Sequence, residues 1–337
     1  MLVLNSSIVN QTTIKSIKTF YKMKIKQFED AVLKGLSLNK KKLPSWLIFD
    51  SMGSEIFNQI TQLENYHPSK CETEIFDTYK SKLSKIFSSI PSHLVELGSG
   101  DGKKTTVLIK QLLKDGVEVR YTPIDISEGA INNLTNTLNK KFSASSLKVT
   151  GWIGDYFEGL ASISNNDKKR KMVLFLGVTL NNMDILDAKS FLNNLHRSLR
   201  QDDLLLIGFD LMKNPKLLNQ SYNDQLFEEF NLHLLDRINE CLGGNFDKNL
   251  FVQQSHYNPD SKTVECFLYS TCDQSVHIKA LNKTFKFIEW EAIQTEQSLK
   301  YSIKDIEKLA FESGFQIKEN FYDSKKYFVD SLWQVMK

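Results

Sequence analysis

The sequence predicts an α/β fold in which helices wind around a parallel β-sheet and a second, smaller domain interrupts the later part of the chain. From Val95 to Leu205, short apolar runs alternate with segments of helical periodicity. A glycine-rich turn in "VELGSGDGKKT" joins the first apolar run to the first helical segment. After Asp210 the pattern changes to a long helical stretch followed by short alternating segments, which indicates a different kind of domain.

Five apolar runs predict the strands of the core sheet: "HLVEL", "VEVRYTPID", "LKVTGWI", "MVLFLG" and "LLLIGFD". The segment "KKTTVLIKQLLKDG" after the first strand has apolar residues at helical spacing, and Gly116 ends it. The segment "DILDAKSFLNNLHRSLR" repeats that pattern between the fourth and fifth strands. It is therefore predicted to be a crossover helix.

The chain after Asp210 predicts a helix over "NDQLFEEFNLHLLDRINECLG" and then an antiparallel meander. The meander segments are "NLFVQQSHY", "TVECFLYST", "SVHIKAL" and "TFKFIEWEAI". In "YSIKDIEKLAFESGF", Ser302 and Asp305 have the spacing of a capping box, and Gly314 ends the helix. Two last strands, "QIKENFYD" and "YFVDSLWQV", would complete the core sheet.

Composition excludes several classes of function. The 337 residues include 43 basic and 40 acidic side chains, and a net charge of +3 is too small to indicate a nucleic-acid or membrane partner. The four cysteines form no CxxC pair, and the six histidines have no metal-ligand spacing, so no metal site is expected. With no signal-like N-terminus and no long apolar span, we expect a cytoplasmic chain.

The glycine loop predicts a nucleotide-containing ligand that lacks a cradled pyrophosphate. A dinucleotide fingerprint needs G-x-G-x-x-G, but Lys103 stands where the third glycine would follow Gly98 and Gly100. The spacing of a phosphate-binding P-loop is also absent. The pattern that remains, E-x-G-x-G, is the type of loop used for S-adenosylmethionine.

Two further loops support this cofactor. Asp125 ends the second strand, where a carboxylate can accept hydrogen bonds from ribose hydroxyls. Asp155 and Tyr156 follow the third strand and could contact the adenine amino group and ring. The alternative is that the two carboxylates are loop caps and that Tyr156 is a core residue. The predicted cofactor-binding residues are Glu96, Gly98, Ser99, Gly100, Lys104, Asp125, Asp155 and Tyr156.

From about Leu43 to the C-terminus, the sequence resembles the S-adenosylmethionine-dependent histidine Nα-methyltransferases of ergothioneine biosynthesis. The motifs that carry the resemblance are "LPSWLIFDSMGSEIFNQITQLENYHPSKCE", "LVELGSGDGKKT", "YTPIDIS", "FLGVTLNNM", "GFDLMKNPKLLNQSYND" and "TEQSLKYS". The resemblance implies a Rossmann-like class I methyltransferase core of residues 71–212 and 299–337. It also implies a substrate-binding domain of residues 1–70 and 213–298.

The resemblance further implies an amino-acid pocket, with Asn182 and Tyr66 as its catalytic residues. The tyrosines and Asn182 would hold the α-carboxylate and α-amino group, while Glu296 and Ser298 would hold an imidazole ring. If "AIQTEQS" is a strand, residues two apart face the same side, so Glu296 and Ser298 can reach one ring together. The implied substrate-binding residues are Phe49, Phe57, Tyr66, Gly177, Asn182, Tyr222, Cys266, Glu296 and Ser298.

The predicted function is therefore methylation of the α-amino group of a free amino acid, L-histidine first, up to the trimethyl betaine. Phe49, Phe57 and Tyr66 would form a cation-π surface around the growing cation. The partner is a small amino acid, and a monomer without nucleic-acid or membrane partners is expected. Alternatives are another aromatic amino acid such as tyrosine or a tryptophan derivative, a nicotinamide-dependent oxidoreductase, and a non-catalytic S-adenosylmethionine-binding protein.

Four residues depart from the family pattern. Phe49 stands where the family commonly has tyrosine, and Cys266 stands where a methionine lines the ring pocket. Val178 and Asn181 replace glycines in the segment "GVTLNN", which contains Asn182 and which we call the amino-group loop. These replacements would make the loop bulkier. These departures leave the identity of the amino acid and the number of transferred methyl groups open.

Overall fold

The computed structural model describes residues 25–90, 92–166 and 169–337. The helices are α1 (25–36), α2 (Ser51–Ile60), α3 (His67–Ser88), α4 (Lys103–Lys114), α5 (Glu128–Lys141), α6 (Tyr156–Asn166), α7 (Ile185–Ser198), α8 (Pro215–Ser221), α9 (Gln225–Leu242) and α10 (Ile303–Glu312). The strands are β1 (Lys41–Lys42), β2 (Ser92–Leu97), β3 (Val119–Asp125), β4 (Leu147–Val149), β5 (Trp152–Ile153), β6 (Arg170–Phe175), β7 (Leu204–Asp210), β8 (Phe251–Asn258), β9 (Thr263–Ser270), β10 (Gln274–Ile278), β11 (Lys283–Phe287), β12 (Ala292–Leu299), β13 (Phe315–Tyr322) and β14 (Phe328–Val335).

The main sheet has eight strands in the order β13-β14-β7-β6-β2-β3-β4, and β5 also pairs with β3. The strands β2 to β7 pair in parallel, whereas β14 is antiparallel to β7 and β13 is antiparallel to β14. The α/β prediction is confirmed. The predicted strand "LKVTGWI" is divided into β4 and β5.

The strands at the centre of this sheet are apolar because helices cover both faces. Every residue of β2 and β7 is buried, as expected for parallel strands. One face packs against side chains of α6, α7 and α10, including Leu160, Leu192 and Ile306. The other face packs against α3, α4 and α5. The predicted capping box of Ser302 and Asp305 starts α10.

The described residues form two compact units. One comprises residues 25–49, Gln225–Gln254 and Cys266–Glu296, and the other comprises Asp50–Asp224, Ser255–Glu265 and Gln297–Lys337. We call them the inserted unit and the methyltransferase unit. The second unit also contains residues 50–70, 213–224, 255–265 and 297–298, which the sequence assigned to a substrate-binding domain. That functional division stays a prediction, and its residues 1–24 lie outside the described residues.

The late strands do not form the predicted meander. A four-stranded sheet has the order β1-β12-β9-β8, whereas β10 and β11 form a separate antiparallel pair. The two strands of that pair meet across a short turn at Lys279–Leu281, and Asn282 follows it with a φ of 45°. Because Val276, Ile278, Phe285 and Phe287 are buried, this hairpin has an apolar face of its own. The chain then returns in β12 to pair with β9.

No helix within residues 25–90, 92–166 and 169–337 is both long enough and apolar enough to cross a membrane.

Candidate active site

Five loops of the methyltransferase unit follow parallel strands and therefore lie at one edge of the sheet. They begin at Gly98 after β2, at the end of β3 with Asp125, at Gly154 after β5, at Leu176 after β6, and at Asp210, where β7 ends. In open α/β sheets, ligands bind at the carboxyl ends of the strands. The structure thus brings the predicted cofactor loops and the predicted amino-group loop to the same edge.

The glycine loop leaves room for a ligand beside its backbone. Gly98 and Gly100 have φ angles of 72° and 51°, which favour glycine. A Cβ at Gly98 would lie 2.8 Å from the Tyr156 hydroxyl, whereas a Cβ at Gly100 would meet no atom within 4 Å. Between them, the Ser99 hydroxyl is buried and has no hydrogen-bond partner among the described residues. A loop with open space and an unsatisfied polar atom fits S-adenosylmethionine.

Asp125 and Asp155 lie close to the half-buried Tyr156. Burial, together with the negative charges of Asp125 and Asp155, holds the pKa of the Tyr156 hydroxyl above its usual range. Asp125 Oδ1 accepts a hydrogen bond from the Ser127 N–H at 2.9 Å. Asp155 Oδ1 accepts one from the Phe157 N–H at 2.8 Å. Both carboxylates are therefore local caps, as the alternative predicted, but a carboxylate has two oxygens and can also bind a ligand.

Glu96 and Lys104 have protein partners. Glu96 is buried and accepts a hydrogen bond from the Tyr121 hydroxyl. Burial raises the pKa of Glu96 to about 7, although the hydrogen bond from Tyr121 opposes this shift. Lys104 forms an ion pair with Glu72 of α3. The predicted contacts of Glu96 and Lys104 with the cofactor stay predictions.

Glu72 is a buried residue that the sequence analysis missed. Its Oε1 accepts a hydrogen bond from the Gly177 N–H at 2.6 Å, and its Oε2 pairs with Lys104. The buried Asp330 of β14 is its neighbour. Burial and the negative charge of Glu72 hold the pKa of Asp330 well above its usual range, which favours the neutral form of Asp330. Glu72 therefore connects the helix after the glycine loop to the amino-group loop.

The signal for Glu72 was present in the sequence. Glu72, Ile75, Phe76 and Leu83 share the buried face of α3, with the spacing of an amphipathic helix. A carboxylate on such a face needs a partner, because an isolated buried charge is costly.

The amino-group loop orients two neighbouring asparagines in different ways. Asn182 Oδ1 is buried, and no described residue donates a hydrogen bond to it. Asn181 instead points into the protein, where its Nδ2 donates to the backbone oxygens of Leu299 at 2.6 Å and Asp210 at 3.3 Å. Val178 is buried in the core beneath the sheet. The larger side chains of Val178 and Asn181 are therefore accommodated because both are directed into the protein interior.

Phe57, Tyr66 and Tyr222 form a row of aromatic rings. Tyr66 is buried and packs edge-on against Phe57 and Tyr222, with ring centroids 6.2 Å apart in both pairs. Three of the predicted substrate-binding residues thus lie together.

A buried cluster surrounds Tyr222 and Ser298. Lys300 contacts both hydroxyls and also the carboxylate of Asp210, which forms a second ion pair with Lys213. The sequence analysis missed both lysines and Asp210. The available signals were the two-residue spacing between Ser298 and Lys300 and the position of Asp210 at the carboxyl end of a parallel strand.

The inserted unit contains the other predicted substrate-binding residues. The ring of Phe49 packs edge-on against Phe230, with a centroid distance of 5.4 Å. Cys266 and Glu296 are buried, and the Cys266 Sγ lies 4.0 Å from Glu296 Oε2. Glu296 and Ser298 both lie in β12, as the extended segment predicted. Their roles in substrate binding stay predictions.

Among the described residues, no group of three or more His, Cys, Asp or Glu side chains is arranged to hold a metal ion.

The sequence matches a protein family described as "Histidine-specific methyltransferase, SAM-dependent" over residues 28–335. The chain belongs to this family. The predicted enzyme class and cofactor are thereby confirmed, and the oxidoreductase and non-catalytic alternatives are wrong.

Several relatives carry names that agree with the family. The histidine N-alpha-methyltransferase of Mycolicibacterium smegmatis is 29% identical over 284 residues, which cover 84% of this chain and 87% of the relative. The enzyme of the same name from Mycobacterium tuberculosis is 31% identical over 273 residues, with coverages of 80% and 83%. Ergothioneine biosynthesis protein 1 of Schizosaccharomyces pombe is 27% identical over 293 residues, which cover 85% of this chain and 38% of that protein.

Proposed function

We propose that this histidine-specific family member transfers methyl groups from S-adenosylmethionine to the α-amino group of free L-histidine, up to the trimethylated product. The choice of an amino group as the methyl acceptor depends on one observation: no described residue donates a hydrogen bond to the buried Oδ1 of Asn182. An amine nitrogen supplies the N–H donor that such an oxygen needs. The family and the names of the relatives support histidine as the amino acid.

The glycine loop and its neighbours would hold the cofactor. The backbone at Gly98 and Gly100, the Ser99 hydroxyl, and the carboxylates of Asp125 and Asp155 are the groups that fit this role. When bound, S-adenosylmethionine supplies an electrophilic methyl group on a sulfonium.

The main task of the protein is to position a neutral amine for in-line attack. Asn182 suits this task because its amide oxygen accepts an amine N–H but carries no charge. A carboxylate at the same place would stabilise the ammonium form, which has no lone pair for the attack. The chain therefore needs no strong general base at the nitrogen.

The aromatic row would accommodate the product. After each of the first two transfers the methylated nitrogen must lose a proton to solvent before it can attack again, and after the third transfer it is a permanent cation. Phe57 and Tyr66 offer ring surface, and a cation over such a ring gains about 1 kcal/mol or more when it is desolvated. We assign these two residues to stabilisation of the methylated ammonium.

The proposal is tested by incubating the protein with S-adenosylmethionine and each of the twenty amino acids, and detecting methylated products by mass spectrometry. The expected result is methylation of histidine. Titration calorimetry with S-adenosylhomocysteine present gives the corresponding affinities. Preferred methylation of tyrosine or tryptophan would overturn the assignment of histidine but not of the α-amino group.

Glu296 is the residue proposed to accept the imidazole N–H. We predict that Glu296→Ala weakens histidine binding by about 2 kcal/mol, because a polar group of the substrate loses its partner. Calorimetry should show that S-adenosylhomocysteine binding is unchanged. Glu289→Ala, which removes an exposed carboxylate of the same unit, serves as the control. Equal loss of cofactor affinity in Glu296→Ala would contradict the assignment.

A further inference from the structure

Lys300 is a fully buried lysine whose hydrogen-bonding capacity is used up by three acceptors. Its Nζ lies 2.7 Å from Asp210 Oδ2, 2.8 Å from the Tyr222 hydroxyl and 2.7 Å from the Ser298 hydroxyl. An ammonium group has three N–H donors and no acceptor. Each hydroxyl oxygen must therefore accept a hydrogen bond from Lys300 and cannot donate to it.

This arrangement determines the role that is left to Ser298. Its oxygen accepts from Lys300 and also from the Tyr222 hydroxyl at 3.1 Å, so both of its lone pairs are occupied. The remaining capacity is its own O–H. Ser298 is 1% exposed. With the Tyr222 hydroxyl as the donor of their shared hydrogen bond, no hydrogen bond among the described residues uses the Ser298 proton. A ligand acceptor would satisfy it.

The cluster around Lys300 carries an excess of positive charge. Lys213 and Lys300 share one carboxylate, Asp210, and the cluster therefore has two positive charges and one negative charge. Although burial opposes it, the two ammonium groups hold the pKa of Asp210 below its usual range, so Asp210 remains ionised. A positively charged ring at Ser298 would be repelled by Lys213 and Lys300 but attracted by the carboxylate of Glu296 in the same strand. The choice between the two ring forms therefore depends on the direction of the hydrogen bond at Ser298.

We infer that Lys300 is a positioning residue that makes Ser298 an obligate hydrogen-bond donor, so that the site accepts histidine with a neutral imidazole ring and rejects the imidazolium form. The inference rests on the proposed function, which places the imidazole at Ser298. A neutral imidazole has one nitrogen that accepts a hydrogen bond, and Ser298 would donate to it. In the imidazolium both nitrogens carry hydrogen, and a donor would face a donor.

The test compares the binding of L-histidine with that of L-β-(1,2,4-triazol-3-yl)alanine, whose ring is much less basic and stays neutral. Calorimetry with S-adenosylhomocysteine present is run from about pH 8 down to about pH 5.5. In the wild type, the Kd of histidine should rise about tenfold for each pH unit below the ring pKa of about 6.5. The Kd of the triazole should stay nearly constant, apart from the pH dependence that titration of the protein imposes on both ligands.

The triazole also corrects for titration of the protein. The ionisable groups near the cluster include Asp210, Lys213, Lys300, Glu296 in the strand of Ser298, and His67 at the start of α3. Burial and the charge of Lys213 lower the pKa of His67. Titration of His67 would change the affinity of both ligands, whereas protonation of the ligand ring changes only that of histidine.

Two variants test whether Lys300 and Ser298 cause the pH dependence of histidine binding. Lys300→Met should reduce the rise in histidine Kd over this pH range to less than about threefold, because Ser298 is no longer forced to donate. If that variant does not fold, Ser298→Ala retains Lys300 and should show the same reduced pH dependence. Lys171→Met is the matched control, since Lys171 is equally buried and pairs with Asp203 at 3.1 Å. It should keep the pH dependence of the wild type.

The outcomes separate this inference from the proposed function. Histidine that binds equally well or better as the pH falls would overturn the inference and leave the proposed function intact. Unchanged pH dependence in both Lys300→Met and Ser298→Ala would do the same. A wild type that binds neither ligand at about pH 8 would overturn the proposed function and the inference with it.

Discussion

At the scale of single residues, Gly98 illustrates how a backbone angle and a close contact act together. At its φ of 72° any residue with a Cβ would have a strained backbone. That Cβ would also lie 2.8 Å from the Tyr156 hydroxyl. We predict that Gly98→Ala loses most of its S-adenosylmethionine affinity, because the loop or Tyr156 must shift. Calorimetry measures this directly.

Gly116 provides a matched control for that prediction. It has a φ of 76°, but a Cβ there would meet no atom within 4 Å. Gly116→Ala should cost about 1 kcal/mol or more in stability from backbone strain alone and should keep cofactor affinity. Equal loss of cofactor affinity in both variants would show that strain, not the contact with Tyr156, explains the effect.

Asn182 is the residue on which methylation of an amine depends in our proposal. Asn182→Ala removes the buried acceptor, and we predict a fall in kcat/KM for histidine of about tenfold to a hundredfold. Steady-state kinetics with saturating S-adenosylmethionine measures the change. The affinity for S-adenosylhomocysteine should not change, and a large fall in it would contradict the role assigned to Asn182.

At the scale of elements, Glu72 connects α3, α4 and the amino-group loop, while burial beside Glu72 favours the neutral form of Asp330. The two buried carboxyls should therefore respond differently to amide substitution. We predict that Glu72→Gln costs about 3 kcal/mol, since it breaks a mostly buried ion pair. Asp330→Asn should cost less than about 1 kcal/mol at pH 7, because an amide replaces a neutral acid and can still donate to Glu72.

Urea unfolding at about pH 7 measures both costs. If Asp330→Asn proved as destabilising as Glu72→Gln, the charge would reside on Asp330 instead, and the connection through Glu72 would be wrong.

Elements with a strong local pattern were predicted well. The strand "LLLIGFD" and the capping box of Ser302 and Asp305 are found where the sequence placed them, because apolar runs and caps depend on neighbours in the chain. The meander was wrong because strand pairing is not a local property. Alternating segments show that β8 to β12 are strands, but not that β12 pairs with β9 across the β10–β11 hairpin.

At the scale of the whole molecule, the buried carboxyl of Glu96 links stability to pH. Burial raises its pKa from an ordinary 4.5 to about 7. Between these values the native protein keeps a proton that the unfolded chain has lost. The free energy of unfolding should therefore fall as the pH rises from about 4.5 to 7, by up to about 1.4 kcal/mol per pH unit from this group.

Glu96→Gln should make this dependence less steep, because an amide does not titrate, while the buried Asp330, whose pKa is also raised, keeps its own contribution. Urea unfolding without cofactor, from about pH 5 to pH 8, tests it. Glu118→Gln, at an exposed carboxylate, is the control and should leave the slope unchanged. An equally steep slope in Glu96→Gln would mean that another buried group is responsible.

The sequence by itself determined the α/β class, the cofactor and the family. These depend on short patterns whose physical cause is local: apolar periodicity, glycines at positive φ and a missing third glycine at Lys103. Only the tertiary structure decided how charged side chains are paired. Lys300 with Asp210, and Glu72 with Lys104, are separated by 90 and 32 residues in the chain. Burial makes each charge require a partner, but the fold alone selects which one.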